Sequence, residues 1–225
     1  MISGDNYDMK VITLTSRRQC SRLLWCLLLG VASAACSSGP PPPMSSGPSH
    51  AERIEQTRRE KDEFFRTGGE SPIPEAQRAA FAGLTYFPVD ASYNVPARLV
   101  EERASEPVVI ELATSRNTVD RLARVGTISF RLGGAGHTLT AFATAADGLT
   151  RLFVPFGDQT NRKETYGGGR YLNLTRTPTG LYDLDFNVAY NPYCVYDVNY
   201  TCPLPPAENR LAVAINAGER MPAGH

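Results

Sequence analysis

The chain has 225 residues, with 23 basic and 23 acidic side chains, and 42% of the residues are hydrophobic. That charge balance offers no basic face for nucleic acid or for an anionic membrane surface, and the apolar share is enough for one respectable core. Past Cys36 the count is 19 basic against 21 acidic residues, which excludes a polyanion-binding tail as well.

Residues 1–36 read as an export signal. Arg17, Arg18 and Arg22 form a positive region, Leu23 to Val31 an apolar run, and Ala32-Ser33-Ala34-Ala35 a small-residue exit. This order of features is that of a secretory signal, removed from the mature protein. Met1 and Met9 are both possible starts. The apolar run is too short to span a bilayer, which takes about twenty residues. Two processing routes stay open. Ala32-Ser33-Ala34 suits ordinary signal peptidase and would release a secreted or periplasmic soluble protein. The small residues directly before Cys36 resemble a lipobox, in which the cysteine takes a diacylglyceryl group and becomes the mature N-terminus. Residues 37–50, rich in Pro, Ser and Gly, behave as an extended tether that holds a domain off a surface. The tether favours an envelope lipoprotein facing the periplasm or the exterior, with the membrane as its partner through Cys36.

Residues 51–82 are the helical part. Ser49 followed by Glu52 is a capping box, and Ala51 to Arg66 contains neither Gly nor Pro. Its main apolar residues are Ile54 and Phe64-Phe65, which predicts packing near the C-terminal end, before Gly68-Gly69 stops the helix. A second short helix is expected over Pro74 to Ala82, ended by Gly83. Over residues 83–220 the hydrophobic period becomes two. Strands are expected at Val108–Leu112, Thr127–Leu132, His137–Thr144, Leu149–Val154, Arg170–Leu174, Leu181–Val188 and Leu211–Ile215. Short alternating strands separated by turns indicate a mainly β fold, an antiparallel sandwich or barrel.

Candidate functional residues concentrate between Phe156 and Glu219. Asp158, Glu164 and Asp185 are carboxylates from which an acid–base pair could be drawn, as a hydrolase would need. Arg170 can bind an anion bidentately or pair with one of those carboxylates. Gly167-Gly168-Gly169 offers close backbone approach or a left-handed turn, but no Gly-Lys-Ser/Thr follows, so it is not a phosphate loop. Neither a nucleophile elbow nor any motif for a cofactor or metal is present. The cluster Asn187, Tyr190, Asn191, Tyr193, Tyr196, Asn199 and Tyr200 combines flat apolar area with hydrogen-bonding tips, which suits a sugar-like or aromatic polar ligand. The same cluster can equally be a long loop packed over one opening of the sheet. With Cys36 lipidated and Cys20 and Cys26 removed, Cys194 and Cys202 are left as the expected disulfide, which would contribute about 2–3 kcal/mol by closing so short a loop. Cys194 as a nucleophile is the alternative, without a histidine near it in sequence.

The segments Asp158-Gln159-Thr160, Glu164-Thr165-Tyr166-Gly167-Gly168-Gly169-Arg170-Tyr171, Asp185-Phe186-Asn187, Tyr190 to Cys194, Cys202 to Pro206, Glu208 to Leu211 and Ala217-Gly218-Glu219 closely resemble the domain of unknown function 1684 family. The resemblance runs from about Lys61 to Glu219 and implies no reaction or catalytic residue. A small polar ligand or envelope component, held by Asp158, Glu164, Tyr166, Arg170, Asp185, Asn187, Tyr190 and Asn191, is the leading functional expectation. A carboxylate-dependent hydrolase and a structural scaffold without a small-molecule site are the rivals.

Overall fold

The computed structural model describes residues 47–103, 108–143 and 149–222. The signal, Cys36 and most of the tether lie outside the described residues. Helix α1 spans His50–Thr67 and α2 spans Glu75–Arg78. Seven strands follow: β1 (Asn94–Glu101), β2 (Val108–Ala113), β3 (Val119–Leu132), β4 (Ala135–Ala143), β5 (Arg151–Phe156), β6 (Arg170–Thr175) and β7 (Tyr182–Asp185). They form one antiparallel sheet in the order β6-β5-β4-β3-β1-β7, with β2 paired to the free half of β3. The β6–β7 hairpin brings the two ends together through an Arg176–Tyr182 bridge, so the sheet nearly closes into a barrel. Among the described residues no helix is long and apolar enough to cross a membrane.

The barrel interior follows from alternation. Ile128 and Phe130 of β3, Leu139 and Ala141 of β4, Leu152, Val154 and Phe156 of β5, and Leu172 and Leu174 of β6 all point inward and are buried. Leu184 and Phe186 close the core from β7 and the turn after it. Burying one such side chain stabilises the fold by about 1.5–3 kcal/mol, so this inward face is what fixes the register. At Gly126 the register of β3 shifts by one residue. The backbone there has φ 149°, and a Cβ would stand 2.1 Å from the Val100 carbonyl oxygen, so only glycine fits.

Several expectations need correction. The second helix, expected over Pro74 to Ala82, keeps only Glu75–Arg78, and the strand expected over Leu181–Val188 pairs only over Tyr182–Asp185 before a 3-10 turn at Phe186–Val188. Asn94–Glu101 is a strand although Pro96 interrupts its pattern; it pairs β7 with its first half and β3 with its second. Strand β3 is twice as long as the alternation of Thr127–Leu132 suggests, because its N-terminal half is held by β2 rather than by burial. Leu211–Ile215 is not a strand. Leu211 and Ile215 point into the core, which produces the alternation, but the segment runs past the barrel end with only scattered backbone bonds, such as Leu211 N–H to Gly157 O at 2.8 Å.

Helix α1 begins at the capping box: the Ser49 hydroxyl accepts from the Glu52 amide, and Glu52 accepts from the Ser49 amide at 2.7 Å. Contrary to the expectation of a C-terminal contact, it docks along its whole length. His50, Ile54, Arg58, Lys61 and Phe65 recur at helical spacing on one face. His50 bonds Asp185 at 2.6 Å, Arg58 lies over the Tyr86 ring, and Phe65 is fully buried among Phe81, Tyr193 and Tyr196. Three of those five residues are polar, which is why apolar periodicity understates the contact.

Candidate functional site

The expected site residues divide into two groups. Asp158 and Arg170 form an ion pair at 2.9 Å with both side chains completely buried. Asp158 sits just past β5 and Arg170 opens β6, so the pairing of these strands brings them together. The remaining donors of Arg170 go to the carbonyls of Ile215, Ala217 and Glu219, while Asp158 also accepts from the Thr160 amide and hydroxyl and from the Ile215 amide. Burial pulls the guanidinium below its ordinary pKa, and Asp158 opposes that pull. Both terminal nitrogens of Arg170 and both oxygens of Asp158 are thus engaged in pinning residues 215–219 to the barrel, and the buried Arg170 Nε alone is left without a partner among the described residues.

Asp185 and Asn187 do related work elsewhere. One oxygen of Asp185 accepts from the Asn187 amide and side chain, and the other meets His50 of α1. Asn187 is fully buried and exchanges hydrogen bonds with the backbone of Asp90 in both directions. Asn191 donates to the Arg220 carbonyl. Glu164 is exposed at a turn, and its carbonyl rather than its carboxylate is bonded, by Met221. The carboxylates therefore do not converge. Of the three glycines, Gly169 alone has positive φ, at 90°, and a Cβ on it would stand 2.6 Å from both the Phe156 carbonyl and Pro205. The triplet is a packed turn.

The open concavity lies beside these residues. A groove of about 580 Å³ runs between α1, the outer faces of β5 and β6, and the loop from Val188 to Pro203. Tyr190 is its one contribution from the expected ligand-binding set. Phe153, Tyr171, Tyr190, Tyr193 and Tyr200 supply its aromatic walls, with Thr57 and Asn173 as polar edges. The rings brace one another edge to face: Phe153 with Tyr171 at 4.8 Å, Tyr171 with Tyr190 at 5.7 Å, and Tyr193 with Tyr200 at 5.3 Å. Tyr171 donates to the Pro203 carbonyl, and Tyr190 accepts from the Asn173 amide at 2.9 Å. Burial pushes the Tyr190 hydroxyl up to about 12, so it stays neutral.

Lys61 is the charged residue lining this groove. Its ammonium bonds Glu219 at 2.5 Å and stands 4.7 Å from the Tyr190 ring centre. Glu219 is buried and also accepts from the Asn191 amide and the Tyr196 hydroxyl, which fixes the position of the lysine. An ammonium has three donors; the Lys61 side chain is 24% exposed, and Glu219 is its hydrogen-bond partner among the described residues. Residue reading alone did not select Lys61 or Glu219 as a pair, because 158 positions separate them.

The loop carries Cys194 and Cys202. Their thiols are free and in contact rather than joined in the expected disulfide, and the Cys194 amide donates to the Cys202 sulfur at 3.2 Å. The β2–β3 turn holds the loop from one side. Ser115 N–H donates to the Cys202 carbonyl, Cys202 N–H to the Ser115 hydroxyl, and Leu204 N–H to the Ala113 carbonyl. From the other side α1 holds it through Phe65. Tyr166, half-buried, reaches Cys194 from the turn before Gly167.

Comparison with known proteins agrees with this architecture. The family model described as a protein of unknown function, DUF1684, matches residues 79–220. The solution NMR structure of an uncharacterized protein of Haloarcula marismortui is 41% identical, with a TM-score of 0.60, over 77% of this chain and 95% of that one. That span is longer than the family match, so the likeness reaches back into the helical region. No curated protein matches the chain.

Proposed function

The chain belongs to the DUF1684 family of proteins of unknown function, and on that footing we propose that it is an envelope lipoprotein whose aromatic groove binds a carboxylate-bearing, sugar-like ligand. The observation that carries this reading is the groove itself: five braced aromatic rings around one fixed lysine, with no carboxylate in its lining. Tyrosine faces stack on the apolar faces of sugar rings while their hydroxyls and the Asn173 amide meet sugar hydroxyls. The free donors of Lys61 supply attraction for a carboxylate, held in place at no further ordering cost by Glu219. A glycan of the cell wall has both features, and the signal, Cys36 and the tether would put the domain beside it. A hydrolytic role for Asp158 or Asp185 has no support in the arrangement, since both are committed to internal partners.

The test is a titration of the protein with soluble disaccharide–peptide fragments of peptidoglycan, beside chitotetraose as a neutral control, followed by calorimetry. The acidic fragments should bind, and Tyr190→Ala should weaken binding by about tenfold, the loss of one stacking contact. Absence of binding by both probes would leave the scaffold reading. Attachment is tested separately by fatty-acid labelling in cells: label on the wild-type chain and none on Cys36→Ala is the expected result, whereas an unlabelled wild type means ordinary secretion.

A further inference from the structure

We propose that Cys194 and Cys202 form a thiol–disulfide exchange site, with Cys194 as the attacking and Cys202 as the resolving thiol toward a disulfide-bearing co-reactant. The two thiols stand together on one loop, where the Cys194 amide donates to the Cys202 sulfur at 3.2 Å, and the Cys202 thiol and the Ser115 and Tyr166 hydroxyls lie near enough to Cys194 to lower its pKa as donors. Sulfur in a disulfide is a feeble acceptor, so such a set of donors has little to stabilise in a permanently oxidised pair. A thiolate is what it suits. The Ser115 hydroxyl is itself aimed, because its oxygen accepts from the Cys202 amide at 3.2 Å.

Access separates the two roles. Cys194 is half-buried and the more exposed of the two, while Cys202 is 6% exposed and meets solvent only where it lines the groove. Contact with the Cys202 thiol is the largest of the influences that bring Cys194 down to about 6, against the opposing effect of burial. The same contact and burial drive Cys202 upward, so one proton is shared unequally between the pair. Burial and the nearby Cys194 charge push Tyr166 up to about 12, which keeps it a donor. Tyr171 also faces the pair and is held neutral by burial.

The exchange balances as follows. The Cys194 thiolate attacks one sulfur of the incoming disulfide, forms a mixed disulfide and expels the other sulfur as a thiolate. Cys202 then loses its proton to that thiolate and attacks the Cys194 sulfur. The second half of the co-reactant leaves as a thiolate and takes a proton from solvent. Two protein thiols are oxidised and one external disulfide is reduced to two thiols. The turn-rich loop from Cys194 to Cys202, pinned at Ser115, already holds both sulfurs together for the second step.

The experiment uses the full chain with Cys20, Cys26 and Cys36 changed to serine, incubated with oxidised glutathione at pH 7, quenched with acid and read by peptide mass. The two remaining thiols should become an internal disulfide without retained glutathione. In the same protein carrying Cys202→Ser, one glutathione should accumulate on Cys194. With Cys194→Ser instead, Cys202 should react at least tenfold more slowly. Two thiols that stay free, or a Cys202 that reacts as fast as Cys194, would overturn the proposal. Alkylation of the Cys202→Ser protein by iodoacetamide adds a second readout: the rate should be half-maximal well below pH 8, whereas a midpoint near about 8.5, that of an ordinary thiol, overturns the assignment of Cys194. No groove ligand enters either measurement, so the outcome is independent of the binding reading.

Discussion

Two ion pairs flank the same stretch of backbone, Ile215 to Glu219, and they serve it differently. In the first, Asp158 and Arg170 are both sealed from solvent, and the guanidinium holds three carbonyls of the stretch. In the second, the buried Glu219 side chain turns the other way and anchors a lysine that reaches the groove. A buried charge is expensive unless its whole hydrogen-bonding capacity is used. Arg170 meets that condition at both terminal nitrogens with protein atoms, leaving only its sealed Nε unpartnered, whereas the Lys61 side chain keeps 24% exposure. The first pair has nothing left for a ligand, whereas the second has donors to spare.

The comparison can be broken by unpairing each side in turn. Arg170→Met leaves Asp158 buried without its cation and frees three carbonyls, and should destabilise the domain by about 3–5 kcal/mol in urea unfolding. An unchanged midpoint would mean that water reaches the site. Lys61→Met leaves Glu219 with two other donors and a route to solvent, so the loss should be about 1–2 kcal/mol, with acidic-glycan affinity reduced by about tenfold and chitotetraose unaffected. Equal loss for both glycans would assign Lys61 to packing alone. Glu164→Ala, at an exposed turn, should shift stability by less than about 0.5 kcal/mol and leave binding unchanged. A loss of binding there would bring back the carboxylates as ligand contacts.

How much of this was readable in the sequence depends on the range of the interaction. The strands β4, β5 and β6 were legible because their inward residues alternate against a single core, and β2 because it is a compact apolar run. Strand β1 was not, since Ala97 is its one buried residue and its place is set by partners on both sides. The alternation of Leu211–Ile215 was real but reported burial, not pairing. For the site, composition marked the Tyr190–Tyr200 loop as unusual, and three of its tyrosines do wall the groove. The polar residues around Asp158 and Arg170 read as site candidates because buried charge and exposed charge look the same in a sequence. Lys61 and Glu219 were out of reach, because only the docking of α1 against the chain's far end makes them neighbours.

That far end also sets an order of events. The carbonyls that accept from Arg170 belong to residues 215–219, so a chain emerging N-terminus first lacks these acceptors until about fifty residues after Arg170 have appeared. The sheet can pair early, yet its interior cannot seal around an unsatisfied cation. Completion is therefore postponed until residues 215–219 are delivered. Under the proposed export, such lateness keeps the domain open until residues 215–219 have crossed, and then lets it close.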